Sequence, residues 1–358
     1  MRFISRSQIS RPAQLLAPVL AILLTLLLSA PLILWTGASV LQAYAEILRG
    51  AFGGTLAITE TLTRATPLIL TGLAAAIAFR AHFYNIGAEG QLYLGAVAAV
   101  LVGGLHGGSG LGWPTPVLFP LMLLAGALAG AVLLLGPVLL KTRLGVDEVV
   151  TTLLLNFIVL LFVSMLLDGP MKDPLSMGWP QSVALDPALE LSKIIPRYRL
   201  HSGFVIAVVL AALLAFIIAR SAFGFELKAV GANAKAARFA GMPVTAVMLK
   251  TGLLSGAMAG LAGVFEVAGR TSYLTLDMSP GYGYTGIVIA MLAQLNPLGV
   301  VLAAIFVAGV LVGADSMSRV LSVPTYIADV IVALALLSML VTNLLTKYRL
   351  QWRAGGRS

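Results

Sequence analysis

The sequence is built from apolar runs about 20 residues long, each matching the length a helix needs to cross a ~30 Å hydrocarbon core. Between them lie short stretches that hold most of the Lys and Arg. Of 358 residues, 59% are hydrophobic and 10% charged, against roughly 25% charged in an ordinary soluble domain. Most of the chain has no means of facing water, so a soluble fold is excluded. Spans are expected near 16–36, 60–80, 87–106, 116–140, 149–167, 203–220, 246–267, 281–294, 298–314 and 323–346. The fold class is therefore all-α: a polytopic helical membrane protein with about ten transmembrane helices, forming one domain over 1–358. The eighth and ninth segments are short and separated by the turn signal Gln294-Leu-Asn-Pro297, which leaves a re-entrant hairpin or two full spans.

Arg2, Arg6 and Arg11 precede the run from Leu15 to Trp35. At about 20 apolar residues this run exceeds the 7–15 of a signal-peptide core, so it is read as an uncleaved first span. Basic loops stay on the cytoplasmic side. With the N-terminus inside, the cytoplasmic segments collect Arg80, Lys141, Arg143, Arg220, Lys228, Lys235, Arg238, Lys250, Lys347, Arg349, Arg353 and Arg357. Both termini are then cytoplasmic, and the expected location is a bacterial cytoplasmic (inner) membrane.

The net charge of +9 resides in these topology signals and forms no continuous basic face, so membrane lipid is the expected charged partner and nucleic acid is not. The absence of cysteine removes thiol nucleophiles and cysteine-ligated metals. His82, His106 and His201 are never at metal-ligand spacing, so no metal site is expected. No phosphate loop, H-E-x-x-H or G-x-S-x-G motif is present. No catalytic residue is expected, and the chain has no means of hydrolysing ATP by itself.

Two hydrophilic loops stand out. The segment 168–202, outside in this topology, mixes four acidic and four basic residues with five prolines; it reads as a solvated connector or as a dock for an external partner. The segment 221–243 is cytoplasmic. Within it, Ala229 to Met242 favours a helical stub of about eight to ten residues, entered at Gly231 and stopped by Gly241 and Pro243. So short a helix is unstable alone. It leans on anionic lipid through Lys235 and Arg238, or it is a peg for a cytoplasmic partner.

An internal repeat is also legible. Leu68 to Phe79 followed by Asn85-Ile-Gly-Ala-Glu-Gly-Gln91 matches in layout Leu253 to Phe265 followed by Gly281-Tyr-Gly-Tyr-Thr-Gly286. The halves cover about 60–167 and 246–346, and each holds a small-residue helix, a Gly-rich break and a further span. Glu89, Glu266 and Asp315 are the few mid-span carboxylates, and such sparing use of charge argues against a proton relay. Glu89 is expected at a helix N-terminus, where its charge meets the positive end of the dipole. Asn85, Glu89, Gln91, Asn156, Tyr282, Tyr284, Thr285, Gln294 and Asn296 are candidates for a solute pathway, because amides and hydroxyls bind polar solutes weakly enough to release them. The same groups also serve to bond helices to one another.

The segment Gly231-Ala-Asn-Ala-Lys-Ala-Ala-Arg-Phe-Ala-Gly241 is similar to the coupling loop of the permease family of ABC importers for simple sugars, nucleosides and branched-chain amino acids. Phe83-Tyr-Asn-Ile-Gly-Ala-Glu-Gly-Gln91, preceded by Thr66-Pro-Leu-Ile-Leu-Thr-Gly72, most resembles the longer of the two permeases of nucleoside importers. The resemblance runs from roughly residue 15 to 345. It implies about ten helices in two related halves, a pathway between two permeases in a heterodimer, an ABC ATPase subunit that carries ATP and Mg, and an external solute-binding protein. It also implies that Gly231, Asn233, Ala236, Ala237, Arg238 and Gly241 couple this chain to the ATPase. An ion-coupled secondary carrier is the alternative suggested by the repeat with Glu89 and Glu266, and a non-transporting scaffold is a third reading.

Overall fold

The computed structural model describes residues 2–5, 11–105 and 112–351, so His106, Arg6, Arg353 and Arg357 lie outside the described residues. The chain is almost wholly helical. Helices α1 (Arg11–Trp35), α2 (Val40–Phe52), α3 (Thr55–Arg80), α4 (Ala88–Gly103), α5 (Thr115–Leu139) and α6 (Glu148–Asp168) precede the 168–202 loop. After it come α7 (Gly203–Arg220), α8 (Ala222–Ala232), α9 (Ala234–Phe239), α10 (Val244–Glu266), α11 (Tyr282–Leu292), α12 (Pro297–Leu321) and α13 (Thr325–Lys347). Two four-residue strands, β1 (Arg2–Ser5) and β2 (Tyr348–Gln351), pair antiparallel and join the two ends of the described chain.

Among the described residues, six helices are long and apolar enough to cross a membrane: α3, α5 with the π-helical turn that extends it, α6, α7, α10 with its own π turn, and α12. A seventh crossing is reached if α1 and α2 count as one span bent by 116°. The expected count of about ten is not met by length. Segment 87–106 forms a 16-residue helix, segment 281–294 forms one of 11 residues, and within α13 the apolar helix is Asp329–Thr342. Segment 298–314 differs in the other direction: α12 is 25 residues long and runs past Asp315 to Leu321. Charge near a helix end ends an apolar run in the sequence but does not end the helix. The helix α2 was not expected at all, because Gln42, Glu46 and Arg49 make it look like a connector. It is amphipathic, with Ala43 and Ala51 buried and an Arg49–Glu46 pair at 3.1 Å on its exposed side.

The chain divides into two compact units, Met1–Thr61 with Phe306–Ser358, and Leu62–Ile305. In the first, Ile33, Ala43, Ala314, Met317, Val323 and Ile331 form the core. Gly37, with φ 78°, turns the chain out of α1, and the Tyr44 hydroxyl donates back to the Leu26 carbonyl.

The second unit is organised by backbone contact among α4, α5 and α10. A Cβ on Gly95 would lie 2.0 Å from the Gly260 carbonyl oxygen, one on Gly260 2.2 Å from that of Gly126, and one on Gly256 2.4 Å from that of Gly130. Water drives no apolar association between helices inside a bilayer, so dispersion at such close approach is what holds them. The helix α3 is the most enclosed candidate span, with 89% of its apolar window buried, whereas 22% of that of α6 is buried.

The 168–202 loop is more than a solvated connector. Its backbone is bonded to the segment after α10, through Ser182 N to Leu274 O (3.0 Å), Leu185 N to Ser272 O (2.7 Å) and Leu191 N to Ala268 O (2.8 Å). The Ser272 hydroxyl adds a bond to Glu190 at 2.6 Å. His201 closes this layer. Only 2% exposed, it lies under Gly269, where a Cβ would stand 2.4 Å from its ring, and burial lowers its pKa from 6.5 to about 4.

Two outcomes are expected. Gly260→Ala forces α5 and α10 apart and costs about 1–3 kcal/mol, lowering the thermal midpoint of the purified protein, while Gly136→Ala, which meets nothing within 4 Å, leaves it unchanged. His201 is neutral in the fold and binds its proton more tightly once unfolded. Its contribution is complete above pH 6.5 and is lost progressively as the pH falls to about 4, a loss of about 3 kcal/mol. The acid-dependent fall in melting temperature should shrink over that window in His201→Gln.

Candidate functional site

The two glycine-rich breaks meet in the second unit. After α3 the chain reverses at His82, with φ 53°, and reaches Asn85, which is fully buried. The Asn85 amide donates to Gln91 Oε1 and to Ser255 Oγ, both at 3.0 Å. Its carbonyl oxygen accepts from Gly87 N and Gln91 Nε2, also at 3.0 Å. Ser255 in turn donates to the Ala74 carbonyl at 2.7 Å, tying α10 to α3.

Glu89 occupies the first turn of α4, as expected for a carboxylate facing the positive end of a helix dipole. Its Oε2 accepts from Gly283 N at 2.6 Å. A Cβ on Gly283 would lie 2.2 Å from Glu89 N, so only glycine lets the start of α11 reach the start of α4. Thr71 of α3 donates to the Tyr282 carbonyl at 3.0 Å. Asn156 of α6 accepts from Gly90 N at 2.8 Å and donates to Ile86 O at 2.9 Å and to the Tyr284 hydroxyl at 3.1 Å.

Of the nine residues singled out for a solute pathway, Asn85, Glu89, Gln91, Asn156 and Tyr282 are gathered at this junction and buried, with their polar groups paired inside the protein. Tyr284 is 37% exposed and is the member that carries the network to the surface. Thr285 is half-buried beside it, and Gln294 and Asn296 are exposed at the far end of α11. Ser255, Thr71 and Thr152, whose hydroxyl accepts from Ile86 N at 3.2 Å, complete the junction. They were missed because a lone hydroxyl on an apolar helix leaves no pattern. The other two mid-span carboxylates lie elsewhere: Glu266 pairs with Arg270 at the end of α10, and Asp315 lies within α12.

The expected stub from Ala229 is divided. Gly231 is inside the last turn of α8 and is no entry point; the break falls at Asn233, which caps α9 by accepting from Lys235 N and Ala236 N, both at 3.0 Å. An asparagine competes with the helix backbone and starts a new helix there. Gly241, with φ 80°, ends α9. Ala237 is buried, while Ala236 and Arg238 face outward. Phe239, absent from the expected coupling set, is 96% exposed at the tip. An aromatic inside a short cationic helix was the signal that could have found it.

Apolar spans around a buried polar junction, with a short capped helix displayed outside it, make this a polytopic helical membrane protein. The chain belongs to the family described as branched-chain amino acid transport system / permease component, whose model matches residues 57–340. It is 38% identical to a guanosine ABC transporter permease of Bacillus subtilis, over 92% of this chain and 94% of that one. It is 34% identical to a glucose ABC transporter permease of Haloferax volcanii, over 93% and 88% of the two chains. With a nucleoside ABC transporter permease of Lactococcus lactis it shares 28% identity over 90% of each. The chain is thus the membrane-spanning permease subunit of an ABC transporter; it is not an enzyme, and the independent ion-driven carrier gives way to this reading.

Removing the Glu89 carboxylate tests the junction. Glu89→Ala leaves the buried Gly283 amide without an acceptor at a cost of about 1–3 kcal/mol, whereas Glu89→Gln keeps an oxygen in place. Thermal midpoints should fall in the order wild type, Gln, Ala; equal midpoints would contradict the assigned bond.

Proposed function

We propose that this chain forms the import pathway for nucleosides, driven by ATP hydrolysis on a separate ATPase subunit that binds ATP with Mg. The observation that carries the reading is the 38% identity, over nearly the full length of both chains, to a guanosine permease. A sugar-type solute is the second reading, favoured by the 34% identity to a glucose permease. Ribose and glucose both offer hydroxyls to the amides and hydroxyls of a weakly binding conduit.

A second, shorter permease completes the pathway. The relatives support this: Bacillus subtilis has a further guanosine ABC transporter permease, 28% identical to this chain over 70% of it. An external solute-binding protein delivers the solute to the side where the ordered 168–202 loop lies. The repeat of 60–167 and 246–346 supplies the two related halves. The shorter apolar helices α4, α11 and α13 complete about ten crossings, since a helix enclosed by protein need not match the full bilayer thickness. Pairing of β1 with β2 supports both termini lying on one face, the cytoplasmic face by the distribution of basic residues.

The ATPase contact is α9. Gly231, Asn233, Ala236, Ala237, Arg238 and Gly241 shape and present it, and Phe239 with Lys235 and Arg238 forms its exposed tip. An exposed aromatic flanked by cations is a typical anchor for a protein partner. In proteoliposomes holding the complete transporter, ATP should drive guanosine uptake that excess nucleoside, but not glucose, suppresses. Deleting Asn233 to Ala240 should abolish uptake and ATPase assembly without impairing membrane insertion; unchanged uptake after that deletion would sink the proposal.

A further inference from the structure

We infer that Arg80 is the positioning residue that carries movement of the coupling helices to α11, the helix at the polar junction. The inference rests on the permease reading above and concerns how this chain transmits the stroke it receives. Three contacts at one end of the second unit carry it.

The first is between α8 and α3. Gly231, in the last turn of α8, lies so close to the C-terminus of α3 that a Cβ there would stand 1.8 Å from the Arg80 carbonyl oxygen. No side chain cushions this contact. Since α9 follows α8 after one residue, a displacement of α9 is delivered through α8 to the end of α3.

The second is made by the Arg80 side chain, whose Nε donates to the Leu295 carbonyl at 2.9 Å. Leu295 lies in the turn that ends α11. There Gln294 and Leu295 both adopt left-handed backbone conformations, with φ 51° and 60°, a region that non-glycine residues enter only when their surroundings impose it. Leu295 N closes back on Ala290 O at 2.8 Å, so the guanidinium grips a turn continuous with the helix.

The third contact fixes the other end of α11. Thr71, nine residues before Arg80 on α3, donates to the Tyr282 carbonyl at 3.0 Å. Between these points a Cβ on Gly286 would lie 2.6 Å from the Thr71 hydroxyl, and one on Gly72 3.0 Å from Ile289. α11 therefore runs alongside α3, held at both ends and in close contact between them. Its first turn meets Glu89 and its Tyr284 meets Asn156. The end of α3 is itself braced, because Lys141 donates to the His82 carbonyl at 2.8 Å and Glu148 accepts from Tyr84 N at 3.2 Å.

This arrangement separates binding of the ATPase, a property of α9, from transmission, a property of Arg80. A guanidinium on a long stem can follow a moving carbonyl, whereas a neutral amide on a shorter stem reaches it poorly. In the reconstituted complete transporter, Arg80→Gln should retain the ATPase in the complex and its basal hydrolysis. Solute transported per ATP should fall at least ten-fold, by the reasoning that 1 Å of misplacement costs on that order or more. Hydrogen exchange at Gln294 to Leu298 should rise and lose its response to ATP with vanadate. Arg80→Lys, which keeps a cationic donor, should recover part of the transport. Wild-type transport per ATP in Arg80→Gln would overturn the assignment, as would loss of the ATPase from that variant's complex. A wild-type complex that takes up no nucleoside or sugar on addition of ATP would instead fail the permease reading.

Discussion

The structure depends on backbone meeting backbone among α4, α5 and α10. Inside a bilayer hydrocarbon surrounds every apolar side chain whether or not helices associate, so burial alone brings nothing together. Association there relies on dispersion and on polar bonds, and both need close approach. Gly95, Gly126, Gly130, Gly256, Gly260 and Gly263 remove Cβ atoms that would hold the three helices apart. With the axes that close, Asn85 on the approach to α4 reaches Ser255 on α10, and Ser255 reaches the carbonyl of Ala74 on α3. The polar junction is thus a consequence of the glycine packing.

That junction explains how so many polar groups lie within the apolar unit. An unpaired amide or carboxylate in hydrocarbon costs several kcal/mol, yet Asn85 and Asn156 satisfy their amides within the protein, and Glu89 is met by the amide of Gly283. The junction joins α3, α4, α6, α10 and α11, elements separated by as many as 211 residues in sequence. Tyr284, 37% exposed, extends it to the surface.

How much of this was legible follows from the range of each interaction. The long helices were read from apolar run length, and the Asn85–Gln91 and Gly281–Gly286 breaks from glycine clustered with polar residues. Signals of that kind are local. α2 was missed because Glu46 and Arg49 pair on one face while Ala43 and Ala51 carry the buried one, a division no run-length measure sees. α12 was cut short at Asp315 for the same reason. The segment from Ala229 is helical as expected, but its division at Asn233 depends on one side chain accepting from two backbone amides close to it in space. Gly231 reads in the sequence as a helix entry, whereas it lies against the carbonyl of Arg80, a residue some 150 positions away in the chain. Glycine looks alike in sequence whether it bends a chain or admits a neighbour.

The brevity of α11 bears on how the protein is made. Eleven residues rise about 16 Å as a helix, roughly half of a ~30 Å hydrocarbon core. Such a segment cannot settle across a bilayer as it leaves the ribosome, because both its ends would strand backbone groups in lipid. Its stable place exists only once α3 and α4 are already assembled to receive Tyr282 and Gly283. Insertion of α11 and folding of the helices that receive it are therefore coupled.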